Sequence, residues 1–454
     1  MKVAIAGAFG FIGQHLIQHF LETTQHTIRA ISRSPRRADV ARVECVAADL
    51  YSLKQTKEAL SDCDIAIYLV HSMAPSSRLS QGKFQDFDFI LADNFARAAV
   101  ACKIKSIIYV GGMIPEQDVL SPHLKSRLEV EEILRSYGTP VTTFRCGIVI
   151  GHKASSFSII VRLTERLPVM VLPQWMRTRS NPIYVGDLVR LVATAIADPS
   201  KEHRIIDAGM DQSVSYKDIV IATAKFLAKS PNLIDVPYVS PHLSKLWVRL
   251  VSGAPKALVY PLIDSVRHEM LMSAAHPIPE TWGIEPCGLD EAVSRTFKLP
   301  FEFNMPRLLT TIKDLNEVRS VQRIPLAPGQ NAEILAERYI RWLPFYLKPF
   351  LRVDLIKNSC EYRVRALNLK LLGLKKDLDI SRPDRQLFRI TEGALVAESD
   401  RGRFEFRESY NKKFLIVALH NFKPALPWAI YRFTQAILHQ LVMYHFAKFI
   451  RKAY

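Results

Sequence analysis

A short apolar run, KVAIA at residues 2–6, leads directly into GAFGFIG, with Gly7, Gly10 and Gly13 three residues apart. No other stretch restricts the fold as much. Glycines so placed allow a tight turn after a strand, a close approach of backbone to a pyrophosphate, and a helix packed hard against a sheet. The first turn of that helix would offer free N–H groups and the positive end of its dipole to phosphate. A purely structural role for the glycines is the competing reading. Their position behind the first strand points instead to a dinucleotide site contacted by Gly7, Gly10, Phe11, Ile12 and Gly13.

Apolar runs of strand length follow at TIRAI (27–31), VECVA (43–47), DIAIYLV (64–70), SIIYV (106–110) and VTTFR (141–145), separated by longer helical patterns. Repeated strand–helix units bury both faces of a sheet, so the spacing predicts a doubly wound parallel sheet of the α/β Rossmann class. The residues just after the strands then become candidates for the nucleotide. The second strand ends at Ser32 without the acidic residue that would hold a ribose 2′-hydroxyl, and Arg33, Arg36 and Arg37 follow. Guanidinium groups suit a 2′-phosphate, so NADP is the expected cofactor, with NAD as the alternative. Asp49 and Leu50, after the third strand, are placed for the adenine, although Asp49 could equally cap a helix. Val70 and His71 stand at the end of the fourth strand, beside the expected nicotinamide.

Residues 1–300 are expected to form the nucleotide-binding domain, with the bulky apolar helices of 231–300 as a substrate lid. Prolines and turn residues predict a linker over 301–330. Residues 331–454 read as a smaller α+β domain. In it DRQLFRITEGALV, GRFEFRESY and KFLIVALHNF would form an antiparallel sheet, closed by one long terminal helix. That helix carries an apolar stripe of Ile430, Phe433, Ile437, Leu441 and Tyr444, expected to pack on the sheet.

The net charge of +17 is unevenly spread, +5 over residues 1–300 and +12 over 301–454. The basic residues are dispersed among carboxylates and no nucleic-acid-binding motif accompanies them, so nucleic acid is not an expected partner. Peripheral membrane contact through the basic C-terminal domain stays open. Six scattered cysteines show no ligand or disulfide spacing, and no metal is expected. MKVAIAG reads as a strand and leaves no room for an export signal. The uncharged run from Phe433 to Ala447 is shorter than the roughly 20 residues that span a bilayer. The cytoplasm is the expected compartment.

With GAFGFIG, AADL (47–50), DIAIYLVHSM (64–73), IIYVGGM (107–113), NPIYVGDLVRLV (181–192) and RIIDAG (204–209), the first 300 residues resemble the atypical and extended short-chain dehydrogenase/reductase superfamily. That group includes NAD-dependent epimerases and dehydratases. Its catalytic members carry Tyr-x-x-x-Lys on the helix after the fifth strand and a serine at that strand's end. Here SPHLKSR places His123 at the tyrosine's position and Arg127 at the lysine's, while Gly111 and Gly112 stand where the serine belongs. On one reading His123, with an ordinary pKa of about 6.5, is an acid/base and Arg127 holds the nicotinamide ribose or a substrate oxyanion. On the other, both are polar residues facing a cofactor groove. His71 and Ser72 are secondary candidates.

The resemblance implies NADPH-dependent reduction of a carbonyl, quinone or activated double bond, on a small and hydrophobic substrate. The missing tyrosine, lysine and serine favour the alternative, a non-catalytic NADPH-binding sensor or scaffold with a hydrophobic ligand in its C-terminal domain. In element order that domain is similar to helix-grip, START-like folds, which implies a ligand between sheet and helix.

Overall fold

The computed structural model describes residues 1–38, 40–72, 77–116, 119–199, 201–236, 240–298, 307–308 and 317–452. They form two compact units, one of Met1–Ala74 and Asp88–Thr311, the other of Pro75–Phe87 and Ile312–Tyr454.

The first unit is built on strands β1 (Lys2–Ala6), β2 (Thr27–Ser32), β3 (Val43–Ala47), β4 (Ile65–Tyr68), β5 (Ser106–Gly112), β6 (Val141–Cys146) and β7 (Arg204–Ala208). All pair in parallel, in the order β3-β2-β1-β4-β5-β6-β7. The central strands read as unbroken apolar runs because helices cover both faces. On one side α1 (Phe11–Thr23) sends Leu16, Ile17 and Phe20 into a core with Val3, Ile5 and Ile28. The connections also supply α2 (Leu53–Leu60), α3 (Phe84–Ala101) and α4 (Pro122–Arg135), and Phe95 of α3 packs edge-on against Tyr68 of β4. The doubly wound parallel sheet expected from the strand spacing is therefore present. Helices α5 (Ser155–Arg166), α6 (Val185–Ala197), α7 (Tyr216–Phe226), α8 (Pro241–Ser252), α9 (Lys256–Ser265) and α10 (Leu289–Lys298) follow. Of these, α6 joins the α1 core, and the other five close a second apolar core.

The second unit holds β8 (Val318–Pro325), α11 (Ala332–Tyr346), β9 (Leu351–Ile356), β10 (Ser359–Val364), β11 (Lys370–Lys376), β12 (Arg385–Ile390), β13 (Arg403–Glu408) and β14 (Phe414–Phe422), then α12 (Trp428–Phe433) and α13 (Gln435–Lys452). The seven strands pair antiparallel in the order β9-β10-β11-β12-β13-β14-β8. An eighth, Leu79–Gln81, adds to β8 in parallel. Phe388, Phe404, Phe406 and Val417 bury one face against Tyr339 and Trp342 of α11 and Phe446 of α13. The antiparallel sheet with a C-terminal helix is thus as expected.

Three details differ from the expectations. Residues 301–306 and 309–316 of the expected 301–330 linker lie outside the described residues, but Val318–Pro325 is a strand paired on both sides. A bulge between Val318 and Ser320 breaks its period-two alternation, which is why the pattern did not announce it. The long terminal helix is two helices, parted at Thr434 (φ −123°, ψ −85°), whose hydroxyl donates to the Ile430 carbonyl at 2.6 Å. Finally, the stripe of Ile430, Phe433, Ile437, Leu441 and Tyr444 is exposed. The helix buries Ala436, Val442, Met443, Phe446 and Ile450 instead. It carries two apolar stripes of the same period, and periodicity alone does not rank them.

Candidate functional site

Because β1 to β5 run parallel, the segments that leave their C-terminal ends share one edge of the sheet, where α/β proteins bind ligands. That edge brings together the glycine loop, Arg33 and Arg36, Asp49 and Leu50, Val70 and His71, and Gly111 and Gly112. Gly7 has a φ of +87°. A Cβ on Gly13 would stand 2.5 Å from the carbonyl oxygens of both Gly7 and Ala8, so neither position tolerates a side chain. No side chain caps α1, which leaves the first-turn N–H groups of Phe11, Ile12 and Gly13 to a phosphate. The Arg36 guanidinium lies 4.7 Å from the centroid of the Phe9 ring, against this loop, and Arg33 is exposed. Leu50 is buried and Val70 half-buried. The cap of α2 is Ser52, and the half-buried Asp49 carboxylate accepts the Tyr51 N–H at 3.2 Å. A cradle that any Cβ would fill, beside an uncapped helix and two arginines, fits a dinucleotide phosphate.

SPHLKSR opens α4 for simple reasons. Ser121 accepts the Leu124 N–H at 3.3 Å as the cap, and Pro122 occupies the first helical position, where no N–H is required. His123 and Arg127, one turn apart, then share a face. The His123 Nδ1 lies 3.0 Å from the Ser265 hydroxyl at the end of α9. The Ser265 hydroxyl also lies 2.9 Å from the Pro261 carbonyl, to which it can donate, and 3.0 Å from the Ser121 hydroxyl. When Ser265 donates to Pro261, its oxygen accepts from His123 Nδ1–H and the Nε2 lone pair is free to accept. Burial, then the charge of Arg127 and the neighbouring His71, pushes the His123 pKa down to about 3. The ring is neutral at physiological pH and holds no imidazolium proton to give.

Arg127 is buried and donates from Nη2 to Asp88, which also accepts the Ser126 hydroxyl at 2.9 Å and the Ser72 N–H at 2.6 Å. Its Nε is buried without a hydrogen-bond partner. Gly111 has a packing reason, since a Cβ there would meet the Tyr109 ring at 2.8 Å; a Cβ on Gly112 would make only ordinary contact with the Arg127 side chain at 3.4 Å. The Tyr109 hydroxyl donates to the Arg127 carbonyl at 3.2 Å.

These residues border a cavity of about 240 Å³. Ile12, the exposed His71, Gly111, Gly112, His123 and Arg127 line part of it, and Ile160, Leu163, Val248, Val259, Ile263 and Met270 make it apolar elsewhere. The Tyr216 hydroxyl, also in the wall, is buried and unpartnered. The sequence reading missed Asp88, Ser265 and Tyr216. Only Asp88, an acid within the apolar helical run FDFILA, carried a signal. A larger open groove of about 470 Å³, lined by Asp207, Ser273 and His276, includes none of the glycine-loop residues.

The second unit has its own small cavity of about 90 Å³ between sheet and helix, walled by Tyr339, Phe404, Leu419 and Tyr431. Gln435 and His439, one turn apart on α13, border it. Both ring nitrogens of His439 and the Gln435 Oε1 are buried without partners, and burial lowers the His439 pKa to about 4. Among the described residues no group of three or more His, Cys, Asp or Glu side chains is arranged to hold a metal.

Residues 7–165 match the family described as NAD(P)H-binding, and this part of the chain is an NAD(P)H-binding domain. The auxiliary protein GraX of Staphylococcus aureus is 29 % identical over 144 residues, which are 31 % of this chain and 43 % of GraX. The chain thus spans less than half the length of that relative. The fold of the first unit is shared with a nucleoside-diphosphate-sugar epimerase from Staphylococcus aureus (TM-score 0.52, 15 % identity, 64 % of this chain and 99 % of that one). It is also shared with the NADPH-dependent quinone oxidoreductase QOR2 of Escherichia coli (TM-score 0.50, 17 % identity, 65 % and 100 %). At these identities the likeness is one of fold.

Proposed function

From an NAD(P)H-binding domain that borders an apolar cavity, we propose that the protein is an NADPH-dependent reductase of a hydrophobic carbonyl, quinone or activated double bond. The observation that carries this reading is the cavity itself. His71 and the α4 residues His123 and Arg127 give it a polar part, Ile12 of the glycine loop borders it, and aliphatic side chains of α5, α8 and α9 form much of the rest. QOR2, of the same fold, is a quinone reductase that uses NADPH.

Bound NADPH supplies the hydride. Arg33 and Arg36 hold the 2′-phosphate and set the preference over NADH. The aliphatic wall orients the substrate and excludes water. Arg127, fixed by Asp88 and lining the cavity, offers its positive charge to the substrate oxygen as negative charge develops there. His123, neutral and held by Ser265, accepts a hydrogen bond at Nε2 and positions the substrate. Exposed His71 is the route by which a solvent proton reaches the product.

The second reading, a non-catalytic NADPH sensor whose C-terminal cavity takes a hydrophobic group, is favoured by the state of His123, which has no proton to donate at neutral pH. Titration of the cofactor-stripped protein with NADPH and NADH comes first, with Arg36→Glu as control; the expected result is tighter NADPH binding that this variant removes. NADPH oxidation is then followed with menadione and with aromatic aldehydes. Turnover lost in Arg127→Met supports the reductase. Tight NADPH binding with no turnover on any of them supports the sensor.

A further inference from the structure

We propose that α12 and α13 form a face that lies on an anionic lipid surface. At about 100° per residue, Ile437, Leu441, Tyr444 and Lys448 fall within roughly 60° of arc on α13. The opposite side holds Met443, Phe446 and Ile450, which are buried in the core of the unit. The fold is therefore served by one face alone. The other leaves Ile430, Phe433, Ile437, Leu438, Leu441 and Tyr444 in solvent, with Phe433 71 % and Tyr444 64 % exposed. Large apolar side chains gathered in this way mark a surface with an occupant.

Charge selects the occupant. From residue 409 to 454 the chain contains seven Lys or Arg and no Asp or Glu. Arg432 lies beside the apolar row, and Lys448, Arg451 and Lys452 continue it towards the C-terminus, all exposed. A row of aliphatic and aromatic side chains on helices whose charged residues are all cations suits acyl chains beneath anionic headgroups. No helix among the described residues is long and apolar enough to cross a membrane, so α13 lies in the interface instead of spanning it. The inference does not depend on the reductase reading.

The test is co-sedimentation of the full chain with phosphatidylcholine vesicles and with vesicles of equal parts phosphatidylcholine and phosphatidylglycerol. We expect pelleting with the second kind, weakened by added salt, and little with the first. Phe433→Ser combined with Ile437→Ser should reduce partitioning at least tenfold. Since each basic residue near an anionic surface contributes about fivefold, Lys448→Glu with Arg451→Glu should do the same. All four positions are exposed, so the melting temperature should stay within a few degrees and serve as the folding control. Failure of the wild-type chain to pellet with anionic vesicles would overturn the proposal, as would binding indifferent to these substitutions. A dimer in sedimentation equilibrium that Phe433→Ser/Ile437→Ser dissociates would instead assign the face to a second copy.

Discussion

Each unit of the molecule keeps a neutral histidine at the wall of a cavity, and the two are supported in opposite ways. His123 is tied to Ser265 and stands beside an arginine whose charge Asp88 neutralises. His439 has neither ring nitrogen bonded, and Gln435 one turn away leaves its carbonyl oxygen unpaired. Paired groups are held in one geometry, as His123 and the Arg127–Asp88 pair are, although Arg127 Nε and the Tyr216 hydroxyl stay unpartnered; unpaired groups, which include both nitrogens of His439, cost stability until something binds them. On the proposed reductase reading, the first cavity is organised to act on a polar atom of a substrate. The second is only capable of receiving one.

This contrast is open to measurement, and the largest effect should come from Asp88. Asp88→Ala leaves the buried Arg127 guanidinium without its counter-charge and should lower stability by about 3–5 kcal/mol, measured by denaturant unfolding. A loss below about 1 kcal/mol would mean that Arg127 is hydrated and the first cavity is no better organised than the second.

The pH dependence of stability comes next. Folding lowers both histidine pKa values from about 6.5, to about 3 for His123 and about 4 for His439. Below pH 6.5 the unfolded chain takes up protons that the folded chain refuses, so stability is complete above that pH and is lost as pH falls towards the folded values. The loss is at most about 1.4 kcal/mol per pH unit for each ring, and less where the ring keeps contact with water. His123→Phe and His439→Phe should each flatten unfolding curves collected between pH 6.5 and 4.5. Unchanged slopes would show that the rings take up protons in the folded state.

Smaller changes separate a bonded ring from an unbonded one. Ser265→Ala should cost about 1 kcal/mol and leave NADPH affinity unaltered, since the hydroxyl touches His123 and not the glycine loop. Gln435→Met, which removes an unpaired oxygen at nearly constant volume, should raise the melting temperature slightly, by an amount equivalent to less than about 1 kcal/mol. A lower melting temperature would show that ordered water already satisfies the second cavity, and would weaken the contrast.

Much of the first unit was legible because its signals are local. A strand buried on both faces reads as an unbroken apolar run, and the glycine loop reads as glycines because no other residue fits at Gly7 or Gly13. His123 and Arg127 were found by their place after the fifth strand. Their partners were not, since Ser265 lies 142 residues away from His123 and nothing about a serine at a helix end announces a histidine. In the second unit β9, β10 and β11 escaped because charged residues interrupt their alternation. Two of these, Asp354 and Arg363, pair across β9 and β10 at 3.2 Å.

The sequence by itself determined the parallel sheet, the dinucleotide cradle and the absence of the usual tyrosine, lysine and serine, because each depends on residues adjacent along the chain or on a period within one element. Only the tertiary structure decided that His123 is neutral, that Arg127 is tethered, and that α13 buries Phe446 while Phe433 and Tyr444 face solvent. A pKa depends on what surrounds a group in space. A helix with two apolar stripes buries whichever one its neighbours can cover.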